Sequence, residues 1–307
     1  MARALITGIA GFTGQHLAAE LSRAGHEVVG LTHAGGATGP GTLACDLIDA
    51  AALHAAVQEL RPELVVHLAA ISFVAHGDAD AIYRTNVVGT RNLLAALAAL
   101  PQQPRAVLLA SSANVYGNAS AGVVDESVAP APANDYAVSK LAMEYMARLW
   151  REQLPITIVR PFNYTGVGQA PDFLLPKIVS HFQRRAAVLE LGNLDVERDF
   201  SDVRTVVRCY RLLLESQDST LASGALLNVC SGHGYTLRTV LSLAAELTGH
   251  MPEIRVNPAF VRAHEVRKLV GSKQALEHRI GPVVAVPLQD TLRWMLNAVR
   301  QREPEAP

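Results

Sequence analysis

Short apolar runs rich in Val, Ile and Leu alternate with longer amphipathic stretches along most of the chain. Continuous apolar runs bounded by turn residues are typical of strands buried on both faces of a parallel sheet. The pattern predicts strands over residues 2–7, 27–31, 42–45, 64–68, 106–110, 156–160 and 226–229. Strands that alternate with helices in this way indicate repeated β-α-β units.

Long helices are predicted over residues 78–100 and 135–153, and another over 203–215. The second of these places Tyr136 and Lys140 one turn apart on the same face. The regular alternation ends after residue 160, where prolines and glycines mark a loop. The expected fold class is therefore α/β, a doubly wound parallel sheet with a smaller C-terminal α/β lobe. We assign residues 1–165 and about 203–232 to the sheet domain, and about 166–202 and 233–307 to the lobe.

The composition excludes several classes of partner. The chain has 307 residues with 27 Lys and Arg against 28 Asp and Glu, a net charge of −1. Such a balance gives no overall field that would attract nucleic acid or an anionic membrane surface. The longest apolar run, residues 93–100, is eight residues long, whereas a bilayer span needs about 20. We expect a cytoplasmic protein that binds neither nucleic acid nor membrane.

The residues that commonly bind metals are scattered. Cys45, Cys209 and Cys230 show no ligand spacing and are expected to be buried thiols in a reducing compartment. His67, His76, His181 and His233 form no ligand set either and are expected to be structural or solvated. No metal site is predicted.

A glycine-rich turn follows the first predicted strand directly and opens a helix. Gly8, Gly11 and Gly14 stand at a three-residue spacing, with Phe12 and Thr13 between the last two. Glycines at this place permit a tight turn and let backbone N–H groups and a helix N-terminus approach a pyrophosphate. The position of the motif predicts a dinucleotide-binding site on a Rossmann sheet.

Thr32 and His33 follow the second predicted strand. NAD-preferring sites often carry Asp or Glu here, about 20 residues after the glycines, to bind the ribose hydroxyls. At this position the chain has neither an acidic residue that would repel a 2′-phosphate nor an Arg that would bind one. The cofactor is expected to be NADPH or NADH, and the missing acid slightly favours NADPH.

A Tyr and a Lys at an i, i+4 spacing suggest proton transfer. Reduction of a ketone needs a proton donor at the carbonyl oxygen, and a phenol serves best when a nearby cation lowers its pKa. Tyr136 and Lys140 supply this pair, and Ser112 follows a predicted strand and can offer a hydroxyl to the same oxygen.

Taken in chain order, these motifs resemble the extended short-chain dehydrogenase/reductase superfamily, also called the NAD-dependent epimerase/dehydratase superfamily. The other segments that carry the resemblance are Leu68-Ala69-Ala70, Asn86, Val115-Tyr116-Gly117 and Arg160-Pro161-Phe162-Asn163. The resemblance covers nearly the whole chain. It implies a catalytic triad of Ser112, Tyr136 and Lys140, with Tyr136 as acid and base and Lys140 bound to the nicotinamide ribose. The cofactor residues it implies, together with those of the glycine turn and second strand, are Gly8, Gly11, Phe12, Thr13, Gly14, Thr32, His33, Asp46, Leu47, Leu68, Ala69, Ala70, Asn86, Tyr136 and Lys140.

The resemblance also implies a nucleotide-sugar substrate, and several reactions are open. A 4,6-dehydratase needs ionisable groups beside the catalytic serine, and this chain has Ala113 and Asn114 there. A nucleotide-sugar 4-epimerase usually carries the acid that is missing after the second strand. Hydride transfer to a 4-keto sugar is the expected reaction, with the epimerase and a GDP-mannose 4,6-dehydratase as alternatives.

Within the superfamily, the segments Arg160-Pro161-Phe162-Asn163, Gly166-Val167-Gly168-Gln169 and Arg198-Asp199-Phe200 resemble those of the GDP-6-deoxy-D-lyxo-4-hexulose reductases. The residues that would bind the GDP-sugar are Asn163, Phe173, Lys177, Arg198, Arg262 and Glu265. The two arginines suit the diphosphate because their forked N–H groups match its oxygens, Glu265 suits the ribose hydroxyls and Lys177 a guanine carbonyl. The sequence departs from the usual pattern at Tyr164-Thr165 and at Val167.

These similarities imply reduction of the C4 ketone of GDP-4-dehydro-6-deoxy-D-mannose to GDP-D-rhamnose. A GDP-6-deoxy-heptose is an alternative substrate because the departures touch the sugar side of the site. A GDP-mannose 4,6-dehydratase would act upstream. The two long helices are expected to pair across a two-fold axis as a four-helix bundle, which predicts a homodimer.

Overall fold

The computed structural model describes residues 1–33, 41–72, 78–117, 122–216, 225–260 and 267–300. The strands are β1 (Arg3–Thr7), β2 (Glu27–Thr32), β3 (Thr42–Ala44), β4 (Leu64–His67), β5 (Ala106–Ala110), β6 (Val123–Val124), β7 (Ile156–Pro161), β8 (Asn163–Thr165), β9 (Val188–Leu191), β10 (Glu197–Asp202), β11 (Ala225–Val229), β12 (Gly234–Thr236), β13 (Glu253–Val256) and β14 (Lys268–Gly271). The helices are α1 (Phe12–Arg23), α2 (Ala50–Leu60), α3 (Ala79–Tyr83), α4 (Thr90–Ala98), α5 (Asp135–Ala147), α6 (Leu174–Gln183), α7 (Val203–Glu215), α8 (Leu237–Thr248), α9 (Gln274–Ile280) and α10 (Leu288–Arg300).

Seven parallel strands form the main sheet, in the order β11-β7-β5-β4-β1-β2-β3. The chain builds outwards from β1 in one direction and then, from β4 onwards, in the other, which is the doubly wound arrangement that the alternation of strands and helices predicts. Because all seven strands are parallel, their carboxyl ends meet at one edge. The strand order reverses between β1 and β4, and the crevice at such a point is where open α/β sheets bind ligands.

The main sheet is covered on both faces, as its continuous apolar strands require. Side chains of α2, α4 and α5 form one buried cluster with the sheet, and those of α1 and α7 form another on the opposite face. Leu17 of α1 and Leu53 of α2 are both fully buried. Each such side chain contributes about 1.5–3 kcal/mol relative to an exposed position, so these faces hold the strand ends in place.

A second, smaller unit is built from the later part of the chain. Its sheet has the order β12-β10-β14-β6, with β8 paired to β10, and a separate two-stranded sheet joins β13 to β9. Helices α6, α8 and α10 supply a third buried cluster around this unit. The short strands β6 and β8 precede residue 166 but pair here, so the part of the chain before residue 166 contributes to both units. The domain limits drawn from the sequence stay a prediction.

The predicted strands agree with the observed ones to within one residue at each end. The helix predicted over 78–100 is α3 and α4 joined by a π-helical segment, Arg84–Gly89. The helix predicted over 135–153 is shorter, since α5 ends at Ala147 and continues as a 3₁₀ turn, Arg148–Trp150. Helix ends commonly tighten in this way. Across the described part of the chain, no helix combines the length and the apolar character needed to cross a bilayer.

Candidate functional site

The glycine turn connects β1 to α1 at the reversal point of the sheet. Gly8 has φ +72°, a conformation that glycine adopts without strain, and its N–H donates to the Leu31 carbonyl at 2.9 Å. A Cβ on Gly14 would lie 2.3 Å from the Gly8 oxygen, and one on Gly8 would lie 2.9 Å from the Ala69 nitrogen. Neither place has room for a side chain. The turn therefore brings the free N–H groups of the α1 N-terminus against the strand edge, which suits a pyrophosphate.

The segment Leu68-Ala69-Ala70 leaves β4 beside this turn. The Ala69 N–H donates to Thr7 Oγ1 at 3.2 Å. The buried Asn86 side chain braces the next residue, because its Oδ1 accepts from the Ile71 N–H at 2.9 Å and its Nδ2 donates to the Ile71 carbonyl at 3.2 Å. The predicted cofactor residues at this position are thus brought next to the glycines.

The end of β2 forms the other side of the crevice. Thr32 is buried, and its hydroxyl has no hydrogen-bond partner among the described residues. An unpaired buried hydroxyl costs free energy, and a ribose hydroxyl beside Thr32 would satisfy it. Asp46 and Leu47 follow β3 nearby; Asp46 Oδ1 accepts from the Ile48 N–H at 2.9 Å. The residues present therefore fit the adenosine end of a dinucleotide.

Ser112 and Tyr136 stand at the same edge of the sheet. Ser112 follows β5 and caps the 3₁₀ turn Ala113–Tyr116, its Oγ accepting from the Asn114 N–H at 3.1 Å. Tyr136 lies in the first turn of α5, which Asn134 caps through a 2.9 Å bond from the Ala137 N–H. The Tyr136 ring is almost fully buried. The structure thus brings together the two hydroxyls that the sequence predicts to act on one carbonyl oxygen.

The phenol of Tyr136 is not made acidic by the protein around it. Burial raises its pKa to about 12, hydrogen bonding with Ser112 lowers the pKa, and Tyr164 raises it. Lys140 is predicted to lower the phenol's pKa, and its ammonium group donates to the Ala110 carbonyl at 2.7 Å. Burial also lowers the pKa of Lys140 to about 8, against an opposing effect of Glu144. The phenol consequently keeps its proton throughout the neutral range.

A buried ion pair holds these elements together. Glu144, one turn after Lys140 on α5, accepts from Arg160 Nε at 2.8 Å and from Arg160 Nη2 at 2.7 Å. Ser111 Oγ donates to the same carboxylate at 2.5 Å. Both charged side chains are fully buried or nearly so. The network ties α5 to the ends of β5 and β7 and fixes the backbone that carries the serine and the lysine. No sequence motif pointed to this role of Glu144.

The predicted GDP-sugar residues lie in the second unit or outside the described residues. Asn163 is exposed at the start of β8, and Phe173 is the partly exposed residue that precedes α6. Lys177 Nζ donates to the Glu190 carbonyl at 2.9 Å and lies 4.3 Å from the centre of the Phe260 ring.

Arg198 lies on β10, and its Nη1 donates to the Glu197 carbonyl at 3.0 Å. Arg262 and Glu265 fall in the segment 261–266, outside the described residues. Lys177 and Arg198 thus each donate to at least one backbone carbonyl.

Two contacts at the site were not foreseen from the sequence. The buried ring of His67, at the end of β4, bridges Thr7 and Thr90 at 2.7 and 2.8 Å. The Tyr164 hydroxyl lies 2.8 Å from Thr13 Oγ1 in the first turn of α1. The only sequence signal for Tyr164 was its departure from the usual pattern, and no signal pointed to its partner 151 residues away.

Comparisons with known proteins agree with this geometry. The sequence profile of the NAD dependent epimerase/dehydratase family matches residues 4–230. The GDP-6-deoxy-D-talose 4-dehydrogenase of Aggregatibacter actinomycetemcomitans is 35% identical over 90% of this chain and 90% of its own. The GDP-6-deoxy-D-mannose reductase of Pseudomonas aeruginosa is 34% identical over 96% of both chains.

Solved structures give the same result. A Burkholderia cenocepacia protein provisionally assigned as an epimerase is 50% identical, with a TM-score of 0.92 over 98% of both chains. The RMD protein of Pseudomonas aeruginosa, in complex with NADPH, is 31% identical, with a TM-score of 0.85 over 99% of this chain and 100% of its own. The chain therefore belongs to the NAD dependent epimerase/dehydratase family, and its cofactor is a nicotinamide dinucleotide, NAD or NADP.

Proposed function

We propose that this protein is an NAD(P)H-dependent 4-ketoreductase that converts GDP-4-dehydro-6-deoxy-D-mannose to GDP-D-rhamnose. The observation that carries the proposal is the placement of Ser112 and Tyr136 at the sheet edge that also holds the glycine turn. That edge puts a proton donor and a dinucleotide in the same crevice. A sugar-nucleotide oxidoreductase is the class of enzyme that this placement, the family and the relatives support together.

The relatives' names point to C4 as the reacting carbon. GDP-6-deoxy-D-talose and GDP-6-deoxy-D-mannose, the latter being GDP-D-rhamnose, differ only in configuration at C4. A ketone at C4 is therefore common to the two enzymes' reactions. Their similarity to this chain, at 35% and 34% identity, supports a GDP-linked 6-deoxyhexose with a 4-keto group as its substrate.

In this mechanism the bound dinucleotide supplies the hydride. Tyr136 donates its phenolic proton to the ketone oxygen, which becomes the C4 hydroxyl. Ser112 donates a hydrogen bond to the same oxygen and stabilises the charge that develops there. Lys140 is held by the Ala110 carbonyl at 2.7 Å with its remaining N–H groups available to the nicotinamide ribose.

The raised pKa of Tyr136 suits its role as the acid in the reduction. A group acting as the acid must be protonated, and burial raises the phenol's pKa to about 12. The absence of an ionisable side chain at Ala113 and Asn114 disfavours dehydration.

The second unit supplies groups suited to GDP. Lys177 presents a cation beside the Phe260 ring, and Arg198 supplies a guanidinium whose forked N–H groups match a diphosphate. We assign recognition of the guanine base to Lys177, of the diphosphate to Arg198 and of the phosphate–sugar junction to Asn163. Arg262 and Glu265 complete the set of GDP-sugar residues. A GDP-mannose 4,6-dehydratase would supply the keto sugar.

A second product is supported by one observation. The Aggregatibacter relative is named for GDP-6-deoxy-D-talose, the C4 epimer of the product proposed here. The same residues produce either epimer, depending on which face of the ketone the sugar presents to the dinucleotide. The configuration at C4 of the product decides between the two.

The test is a coupled reaction with the purified protein. GDP-mannose is converted to the keto sugar by a GDP-mannose 4,6-dehydratase, and NADPH or NADH consumption is followed at 340 nm. We expect consumption with GDP-D-rhamnose as the product, identified by NMR from the configuration at C4. Replacing Tyr136 by Phe is expected to lower kcat about 100-fold or more while leaving the affinity for GDP nearly unchanged.

The matched control is Tyr145→Phe, since Tyr145 is an exposed residue on the same helix. Its turnover is expected to equal that of the wild type. Binding of dinucleotide without its consumption would overturn the proposed reaction, and unchanged turnover in Tyr136→Phe would overturn the role of the phenol. GDP-6-deoxy-D-talose as the product would replace the proposed product by its C4 epimer.

A further inference from the structure

Tyr164 connects the second unit of the protein to the glycine turn. It lies in the middle of β8, where its backbone is paired with Ser201 of β10. Its hydroxyl reaches Thr13 Oγ1 at 2.8 Å, and its ring stacks against Phe12 with a centroid distance of 6.1 Å. Phe12 and Thr13 are the first two residues of α1. One side chain thus touches both residues that carry the helix N-terminus.

The loop after β8 is fastened to the same helix. His16 Nε2 donates to the Val167 carbonyl at 2.8 Å. Inside the loop, Gln169 Nε2 donates to the Tyr164 carbonyl at 3.2 Å and Gln169 Oε1 accepts from Thr165 Oγ1 at 2.6 Å. Tyr164 is therefore held by its strand, its loop and its ring contact, and its hydroxyl has a fixed position.

The direction of the hydrogen bond follows from what a phosphate can do. Either hydroxyl of the Thr13–Tyr164 pair can be the donor. A phosphate oxygen beside Thr13 accepts hydrogen bonds only, so the Thr13 hydroxyl donates to it and must accept from Tyr164. Burial raises the pKa of Tyr164, so its phenol keeps the proton that this arrangement needs.

We propose that Tyr164 is a positioning residue for the dinucleotide: it acts through Thr13, whose hydroxyl it holds ready to donate to a phosphate oxygen at the glycine turn. The inference rests on the dinucleotide site that the proposed function uses. Because β8 also carries Asn163, the same strand joins the dinucleotide phosphate to the nucleotide-sugar end of the crevice. Tyr164, where the sequence departs from the usual family pattern, thus contributes to the affinity for the cofactor.

A double-mutant cycle on cofactor affinity tests this inference. NADPH and NADH are titrated against the purified full chain, by cofactor fluorescence, for the wild type, Tyr164→Phe, Thr13→Ala and the double variant. Tyr164→Phe keeps the ring on Phe12 and removes only the hydroxyl. We expect it to raise the dissociation constant about 3- to 10-fold, the effect of one neutral hydrogen bond. In the Thr13→Ala background the same change is expected to have no further effect.

Tyr145→Phe is the control for loss of a phenolic hydroxyl, and its dissociation constants are expected to match the wild type. Independent, additive effects of the two substitutions would overturn the inference, and so would a Tyr164→Phe variant that binds both dinucleotides as the wild type does. The titration contains no sugar nucleotide. A wild type that binds dinucleotide but reduces no GDP-linked keto sugar would therefore overturn the proposed function and leave this inference standing.

Discussion

The buried ring of His67 links Thr7 of β1 to Thr90 of α4 by hydrogen bonds. Thr90 Oγ1 donates to the Asn86 carbonyl at 2.7 Å, so it must accept from His67 Nε2. His67 Nδ1 then accepts from Thr7 Oγ1, which in turn accepts from the Ala69 N–H. The ring is therefore a neutral imidazole with its proton on Nε2. It links the strand edge beside the glycine turn to the helical segment that carries Asn86.

This residue makes stability depend on pH in a defined window. Burial, with a smaller effect of Lys140, lowers the pKa of His67 from 6.5 to about 3. Below pH 6.5 the unfolded chain binds a proton here that the folded chain does not bind until about pH 3, so the free energy of unfolding falls as the pH falls through this window. We expect His67→Asn to weaken that dependence by about one proton, or roughly 1.4 kcal/mol per pH unit.

Urea denaturation at a series of pH values measures this slope. His54→Asn is the control, because His54 is exposed on α2, and it is expected to keep the wild-type slope. A His67→Asn variant with the same slope as the wild type would contradict the neutral, buried ring. The variant is also expected to be less stable at pH 7, since Thr7 and Thr90 lose their shared partner.

At the scale of elements, the glycine turn fixes how closely α1 approaches the sheet. The space available for an added Cβ differs between the glycines of this turn. At Gly14 a Cβ would meet the Gly8 oxygen at 2.3 Å and the Ile9 Cα at 2.7 Å. At Gly11 the nearest atom, again the Gly8 oxygen, would be 3.2 Å away. At Gly14 the backbone would have to shift substantially, whereas at Gly11 the Gly8 carbonyl would have to give by only a few tenths of an ångström.

The two glycines should therefore respond differently to the same substitution. We expect Gly14→Ala to lower the free energy of unfolding by about 2 kcal/mol or more and to weaken dinucleotide binding at least tenfold, because the turn must open. Gly11→Ala, the comparison for stability, is expected to lower the free energy of unfolding by under about 1 kcal/mol. Chemical denaturation and cofactor titration measure both effects. Equal losses of stability in the two variants would contradict the close approach at Gly14.

The whole molecule presents an apolar surface on two helices that are packed together. Val88 lies in the π-helical segment between α3 and α4, Val138 lies on α5, and Leu149 lies in the 3₁₀ turn that follows. All three are exposed, Leu149 at 78%. Large exposed apolar side chains gathered on neighbouring elements mark an interaction surface. They support the proposed homodimer, in which these helices pair across a two-fold axis.

We expect the wild type to sediment at micromolar concentration as a dimer, at twice the 32.8 kDa chain mass. Leu149→Lys combined with Val138→Lys places charges on the proposed interface and is expected to shift the protein to the monomer. Val284→Lys is the control, because Val284 is 80% exposed outside these helices. Sedimentation equilibrium distinguishes the two states, and a monomeric wild type would contradict the dimer.

The sequence by itself determined the architecture and indicated the residues of the candidate site. A parallel sheet covered on both faces needs continuous apolar strands, so runs such as Leu64–His67 could be placed to within one residue. The glycine spacing and the Tyr136–Lys140 pair are local patterns, since a turn and one helical turn fix their geometry. These features depend on neighbours along the chain, and the structure places them as predicted.

Only the tertiary structure determined the electrostatic surroundings and the hydrogen-bond partners of those groups. Whether Lys140 lowers the pKa of Tyr136 depends on where its ammonium group points, and the Ala110 carbonyl holds it. The Thr13–Tyr164 contact joins residues 151 positions apart. Burial and long-range hydrogen bonds arise when distant elements pack, and no local pattern encodes them. The candidate site residues could therefore be named from the sequence, while their electrostatic surroundings and the contact between the two units were set by the fold.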